Sequence, residues 1–166
     1  MRSAPVVLAL VTLAGPATAD IGVRFIEGAP KDRFEITNQA PCPLVQTDVV
    51  LDLRGSAAGL IFDVTGAGAG VEVFQPFELV AGADALAAHP EVVDGDRQVV
   101  VSIRRLASQG RIAFTIDVDD TLDARGITVS GAEIAGAIVR VVAEGGTASA
   151  SFSRLGEVVL NTPSCP

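Results

Sequence analysis

The chain has no tryptophan and no tyrosine, and only one methionine, one histidine and one lysine. Without indole or phenol rings, the stacking platforms that commonly hold sugars or bases would have to be built from its seven phenylalanines. A conventional aromatic sugar cleft is therefore not expected. The single histidine, His89, and the two cysteines, Cys42 and Cys165, supply too few donors for a zinc centre. A Ser-His-Asp triad could draw on His89, but no G-x-S-x-G elbow singles out a serine, and His89 reads as an ordinary surface residue. Positive charge is also scarce, with 12 Lys and Arg against 20 Asp and Glu and a net charge of -8. Such a surface repels nucleic acid and anionic membranes and favours cations as partners.

Long apolar runs are missing too. The one candidate, Val6 to Leu13, is interrupted by Gly15 and Pro16, well short of the roughly 20 apolar residues that span a bilayer. Preceded by Arg2 and followed by Ala17-Thr18-Ala19, it has the pattern of a secretory signal peptide over residues 1–19, cleaved after Ala19. The expectation is export, to the cell surface, the extracellular space or the periplasm, with no membrane span. The mature chain, 20–166, has the length of one domain able to bury a core. In an oxidising compartment its two cysteines, each beside proline, are expected to form one disulfide, Cys42–Cys165. The bridge would close nearly the whole domain, worth roughly 4 to 5 kcal/mol in a chain-entropy account. A redox or metal pair would want C-x-x-C spacing, which these lack.

What the chain has in abundance is period-two alternation. Ile21, Val23 and Phe25 share one face, as do Phe34 and Ile36, Val49, Leu51 and Leu53, then Leu60, Phe62 and Val64. Further strands are predicted at 71–79, 98–106, 111–118, 127–129, 134–142, 148–152 and 158–160. Hairpins are expected between 49–53 and 60–64, between 98–106 and 111–118 around Gly110, and at Gly145-Gly146. One helical turn is expected at 84–88, closed by Pro90. The run Gly66–Gly70 lacks the Lys-Ser/Thr ending and the following helix of a phosphate loop, and reads as a flexible connection. About nine or ten short strands with alternating faces predict an all-β fold, an antiparallel β-sandwich of two packed sheets.

The densest acidic group is Asp117, Asp119, Asp120 and Asp123, where Phe114, Ile116 and Val118 should face the core and turn Asp117 and Asp119 the opposite way. Carboxylates this close repel, and calcium, which takes six to eight oxygens, would relieve the repulsion. The competing reading is a solvated acidic strand end. An EF-hand is excluded, because Leu122 stands where glycine is required and Thr128 where the bidentate glutamate belongs. Asp94 and Asp96 bracket Gly95 in a pattern that suits a tight turn. Paired carboxylates for glycoside hydrolysis are a matter of spatial separation that sequence does not supply.

Three blocks, Gly28 to Asn38 (GAPKDRFEITN), Gly59 to Phe77 (GLIFDVTGAGAGVEVFQPF) and Phe114 to Asp120 (FTIDVDD) continuing to Ile127–Gly136 (ITVSGAEIAG), resemble bacterial secreted proteins of the aggregation factor core family, called after the core of the sponge aggregation factor. The resemblance implies an extracellular adhesion role and calcium dependence, which we place on Asp117, Asp119, Asp120 and Asp123. The sponge assembly is a glycan-bearing multimeric ring. This chain departs from it as one short module without an N-x-Ser/Thr acceptor, since Asn38 precedes Gln39-Ala40 and Asn161 precedes Thr162-Pro163. The expectation is a secreted adhesion or aggregation module, not an enzyme, meeting a protein or polysaccharide partner or a second copy of itself. Its rivals are a periplasmic accessory module that fastens another envelope protein, and a carboxylate-dependent hydrolase.

Overall fold

The computed structural model describes residues 19–65, 75–122 and 128–162. Among them run β1 (Ala19–Ile26), β2 (Asp32–Asn38), β3 (Leu44–Asp52), β4 (Ile61–Phe62), β5 (Glu78–Ala81), β6 (Gln98–Leu106), β7 (Arg111–Ile116), β8 (Val118–Asp119), β9 (Ile138–Ala143), β10 (Gly146–Ser151) and β11 (Glu157–Thr162), with one short helix, α1 (Gly131–Ile134). Residues 1–18 of the expected leader, Cys165, Asp123, the Gly66–Gly70 run, the first part of the 71–79 strand and Ile127 lie outside the described residues. No described helix is long and apolar enough to cross a membrane.

All pairs among the described strands are antiparallel. One sheet has the order β11-β1-β2-β7-β5, the second β10-β9-β3-β6, and β4 pairs with β8 as a small third ribbon. The alternation that predicted a sandwich is visible in β2, where Asp32, Phe34, Ile36 and Asn38 are buried and Arg33, Glu35 and Thr37 are half-buried. With no Trp or Tyr available, phenylalanine holds the centre. The Phe34 ring packs on Phe25 at 5.2 Å, on Phe114 at 5.3 Å and on Phe62 and Phe152 at 6.4 Å each. One buried cluster links Ile21, Val23 and Leu160 of the first sheet with Leu51, Val101 and Val139 of the second.

The sheets correct several local expectations. The 49–53 and 60–64 segments form no hairpin: β3 lies between β6 and β9, and β4 pairs with β8. Nor do β6 and β7 pair, since they belong to opposite sheets and the turn at 107–110 arches between them. Asn38, fully buried, stitches that arch: its side-chain amide donates to the carbonyls of Cys42 (2.8 Å), Leu106 (3.2 Å) and Ala107 (3.0 Å), and its Oδ1 accepts from Ala40 N (3.0 Å). The β9–β10 hairpin at Gly145-Gly146 is as expected.

Val129 is irregular rather than extended, and Ile134 ends α1 rather than starting a strand. The reason is local chemistry. The Glu133 carboxylate reaches back to Ser130 N (2.7 Å) and Ser130 Oγ (2.6 Å), in the manner of a capping box, and so outcompetes β pairing. The helical turn expected at 84–88 is a single 3-10 turn at Ala83–Ala85. Gly55 and Gly136 let two connections cross in near contact: a Cβ on Gly55 would meet the Gly136 carbonyl at 2.6 Å, and Gly136 has φ +90°.

Candidate cation-binding pocket

The chain leaves the large sheet at Ile116, and its next residues pair with β4, Val118 opposite Phe62 and Asp119 opposite Ile61. Val118 is buried, so Asp117 and Asp119 turn the other way, as the alternation predicts. There they meet the start of β2. A pocket of about 650 Å³ opens between these segments, lined by Asp32, Asp117, Asp119, Asp120 and Gln75, with apolar wall from Ala29, Pro30 and Val129. Three of the four expected site residues therefore share one cavity. Asp120 Oδ1 also accepts the Leu122 amide at 3.1 Å.

Two lining residues were missed in the sequence reading. Asp32 is 2 % exposed, on the core-facing register of Phe34 and Ile36. Its Oδ1 accepts the Gly28 amide at 3.1 Å. Burial pushes its carboxyl up to about 7 from 3.8, with Asp117 and Glu27 adding to the rise and the Gly28 and Val118 amides opposing it. The alternation Asp32, Phe34, Ile36 was a readable signal, because a carboxylate on a core face needs a reason. Gln75 is 8 % exposed and its Oε1 receives no hydrogen bond among the described residues. It precedes β5, and no motif marks it.

Asp117 is pushed up to about 6, chiefly by burial and then by Asp119, while the Val118 amide and Lys31 pull the other way. The only lysine is held at the pocket's edge by Glu78 at 2.7 Å and the Pro76 carbonyl at 3.3 Å, which ties the Gln75 segment to the entrance of β2. The described lining contains no Lys or Arg, so the pocket is negative and partly desolvated.

Behind it lies a second carboxyl the sequence did not mark. Asp63 is fully buried, its amide donates to the Asp117 carbonyl at 3.1 Å, and neither of its carboxylate oxygens receives a bond from a donor group. Burial pushes it up to about 7, followed by the side chain of Asp94 and the charges of Asp117 and Asp119. Two carboxyls bond to one another only when one carries a proton. Asp94 and Asp96 form the expected turn: Gly95 has φ +80°, Asp96 Oδ2 accepts Val93 N at 2.9 Å, and Asp94 Oδ1 accepts Val64 N at 3.2 Å.

Among the described residues, no group of three or more His, Cys, Asp or Glu side chains is arranged to hold a metal ion. The expected calcium set of Asp117, Asp119, Asp120 and Asp123 is thus reduced to three residues along one wall, with Asp123 outside the described residues. Cys42 is half-buried and not a free thiol, while its expected partner Cys165 lies outside the described residues. His89 is exposed, packs its ring edge-on against Phe77 at 5.1 Å and places Nδ1 2.9 Å from the Pro90 carbonyl. It does not line the pocket. No known protein family, curated protein or solved structure compared with this chain matches it.

Proposed function

We propose that the chain is an exported, non-catalytic contact module of the aggregation or adhesion type, whose acidic pocket receives a positively charged group from its partner. The observation that carries this reading is the combination of Asp32, Asp117, Asp119 and Asp120 around one cavity with a buried Gln75 oxygen that lacks a donor. Among the described residues the lining has no Lys or Arg and the Gln75 oxygen has no donor, and a cationic group brings both charge and N–H donors. The Cys42–Cys165 bridge belongs to the same proposal, since an exported domain gains stability when its two ends are tied. The test is aggregation of cells or coated beads displaying the mature chain. Asp117→Asn with Asp120→Asn should abolish clumping while leaving the circular dichroism spectrum unchanged. Undiminished clumping, or confinement of the natural protein to the periplasm, would sink the adhesion reading; periplasmic confinement favours the accessory-module rival.

A calcium-dependent form of this proposal draws support from Asp117, Asp119 and Asp120, three of the four residues expected to ligate calcium, which line one cavity. A calcium ion there would take much of its coordination from backbone carbonyls and water. Thermal unfolding in millimolar calcium should then exceed that in excess chelator by several degrees. Superimposed curves retire calcium and leave the pocket reading standing.

A further inference from the structure

Resting on the reading of the chain as a contact module, we infer that the pocket is the receptor for an arginine side chain presented by the protein partner. Four features of the cavity converge on a guanidinium. Its volume, about 650 Å³, is that of a site for a molecular group rather than a single ion. Its acceptors come from different parts of the chain, with Asp32 at the start of β2, Gln75 before β5, and Asp117, Asp119 and Asp120 at and after the end of β7. Asp32, paired opposite Ile116, sits beside Asp117, so several carboxylates and the Gln75 amide line one cavity. A guanidinium has five N–H donors in a rigid plane, which suits several acceptors at once, whereas an ammonium is a compact, strongly hydrated point charge.

The third feature is the unmet acceptor. Among the described residues Gln75 Oε1 is buried without a donor, and the described lining has no cationic side chain that could turn to it. Lys31, whose charge acts on Asp117, is engaged by Glu78 and the Pro76 carbonyl outside the lining. The fourth is the wall. Pro30 and Val129 offer apolar surface against which the three-carbon stem of arginine would pack while its head reaches the carboxylates. Calcium would use the carboxylates but leave that apolar wall and most of the volume unemployed, and no described trio of carboxylates is set for it. Arginine uses all of these features.

The experiment is titration of the oxidised mature chain, in chelator, with N-acetyl-Gly-Arg-Gly-amide, its lysine counterpart and its citrulline counterpart, followed by two-dimensional amide NMR. The inference expects saturable shifts centred on Gly28, Val118 and Val129, weaker binding of lysine and none of citrulline. Asp117→Asn should weaken the arginine peptide by roughly tenfold or more, the scale of one lost charge-assisted hydrogen bond. Gln75→Leu should bring the arginine and lysine affinities together, a change that general destabilisation would not produce. Equal binding of arginine and lysine by the wild type, or shifts elsewhere, would each overturn the inference. If pocket variants abolish bead clumping while the arginine peptide does not bind, the contact-module reading survives and only the arginine assignment falls. If the peptide binds and clumping is indifferent to the pocket, the contact-module reading is the part that fails.

Discussion

Replacing Asp32 with asparagine should make the stability of this domain less sensitive to alkali. In the folded chain burial holds the Asp32 carboxyl protonated up to about pH 7, whereas the unfolded chain releases the same proton near 3.8. Between those values the folded state binds the extra proton. The resulting stability is complete below about pH 3.8 and is lost as the pH rises through 7. From pH 5 to pH 8 the loss spans about two pH units at roughly 1.4 kcal/mol each, so Asp32 removes about 2 to 3 kcal/mol. Asparagine keeps an oxygen for the Gly28 amide and has no charge to bury. The advantage of Asp32→Asn over wild type should therefore grow by about 2 to 3 kcal/mol between pH 5 and pH 8. Lacking Trp and Tyr, the chain is best followed by circular dichroism during urea unfolding, in chelator, at each pH. Asp63 and Asp117 also titrate upward of their ordinary range, so the informative quantity is the difference between the two proteins. A difference independent of pH, or one that turns against the variant as the pH rises, would refute the assignment of Asp32 as a buried, proton-holding carboxyl.

Phe34→Ala removes the ring that four other phenylalanines touch and should cost about 3 to 5 kcal/mol in urea unfolding; a loss under 1 kcal/mol would show that the ring cluster is not the centre of the core. Asn38→Leu strips donors from the arch between the sheets. Because its carbonyl partners remain buried, about 2 to 3 kcal/mol should be lost, with amide exchange quickening first at 107–110. Lys31→Gln takes away the positive charge acting on Asp117 and the tie to Glu78. Asp117 should then titrate at higher pH, read from the carboxyl carbon shift by NMR, and an unchanged titration would place Lys31 outside the pocket's field.

Much of the architecture was legible because alternation is a local property. Ile21, Val23 and Phe25, or Phe34 and Ile36, reveal a half-buried strand without reference to the rest of the chain, and many such strands leave few alternatives to packed sheets. Turn residues are less informative. The four residues at 107–110 look like a hairpin turn, yet whether the chain folds back in its own sheet or crosses to the other is settled by Asn38, some seventy residues away, which claims the carbonyls of the arch. Likewise Ser130 and Glu133 carried a readable capping signal that the apolar pattern around them overshadowed.

The acidic pocket divides the same way. Asp117, Asp119 and Asp120 stand out as a cluster in sequence, and Asp32 was visible to anyone following the alternation of β2 onto its core face. Gln75 and Asp63 carry no sequence mark, because their significance is the lack of a donor, and that depends on everything packed around them. The sequence by itself determined most of the strands, their inward faces, the phenylalanine core and the negative sign of the net charge, since each follows from neighbouring residues and composition. Only the tertiary structure decided which strands share a sheet and which carboxyls are forced into one desolvated pocket, because pairing and burial are properties of residues far apart in the chain.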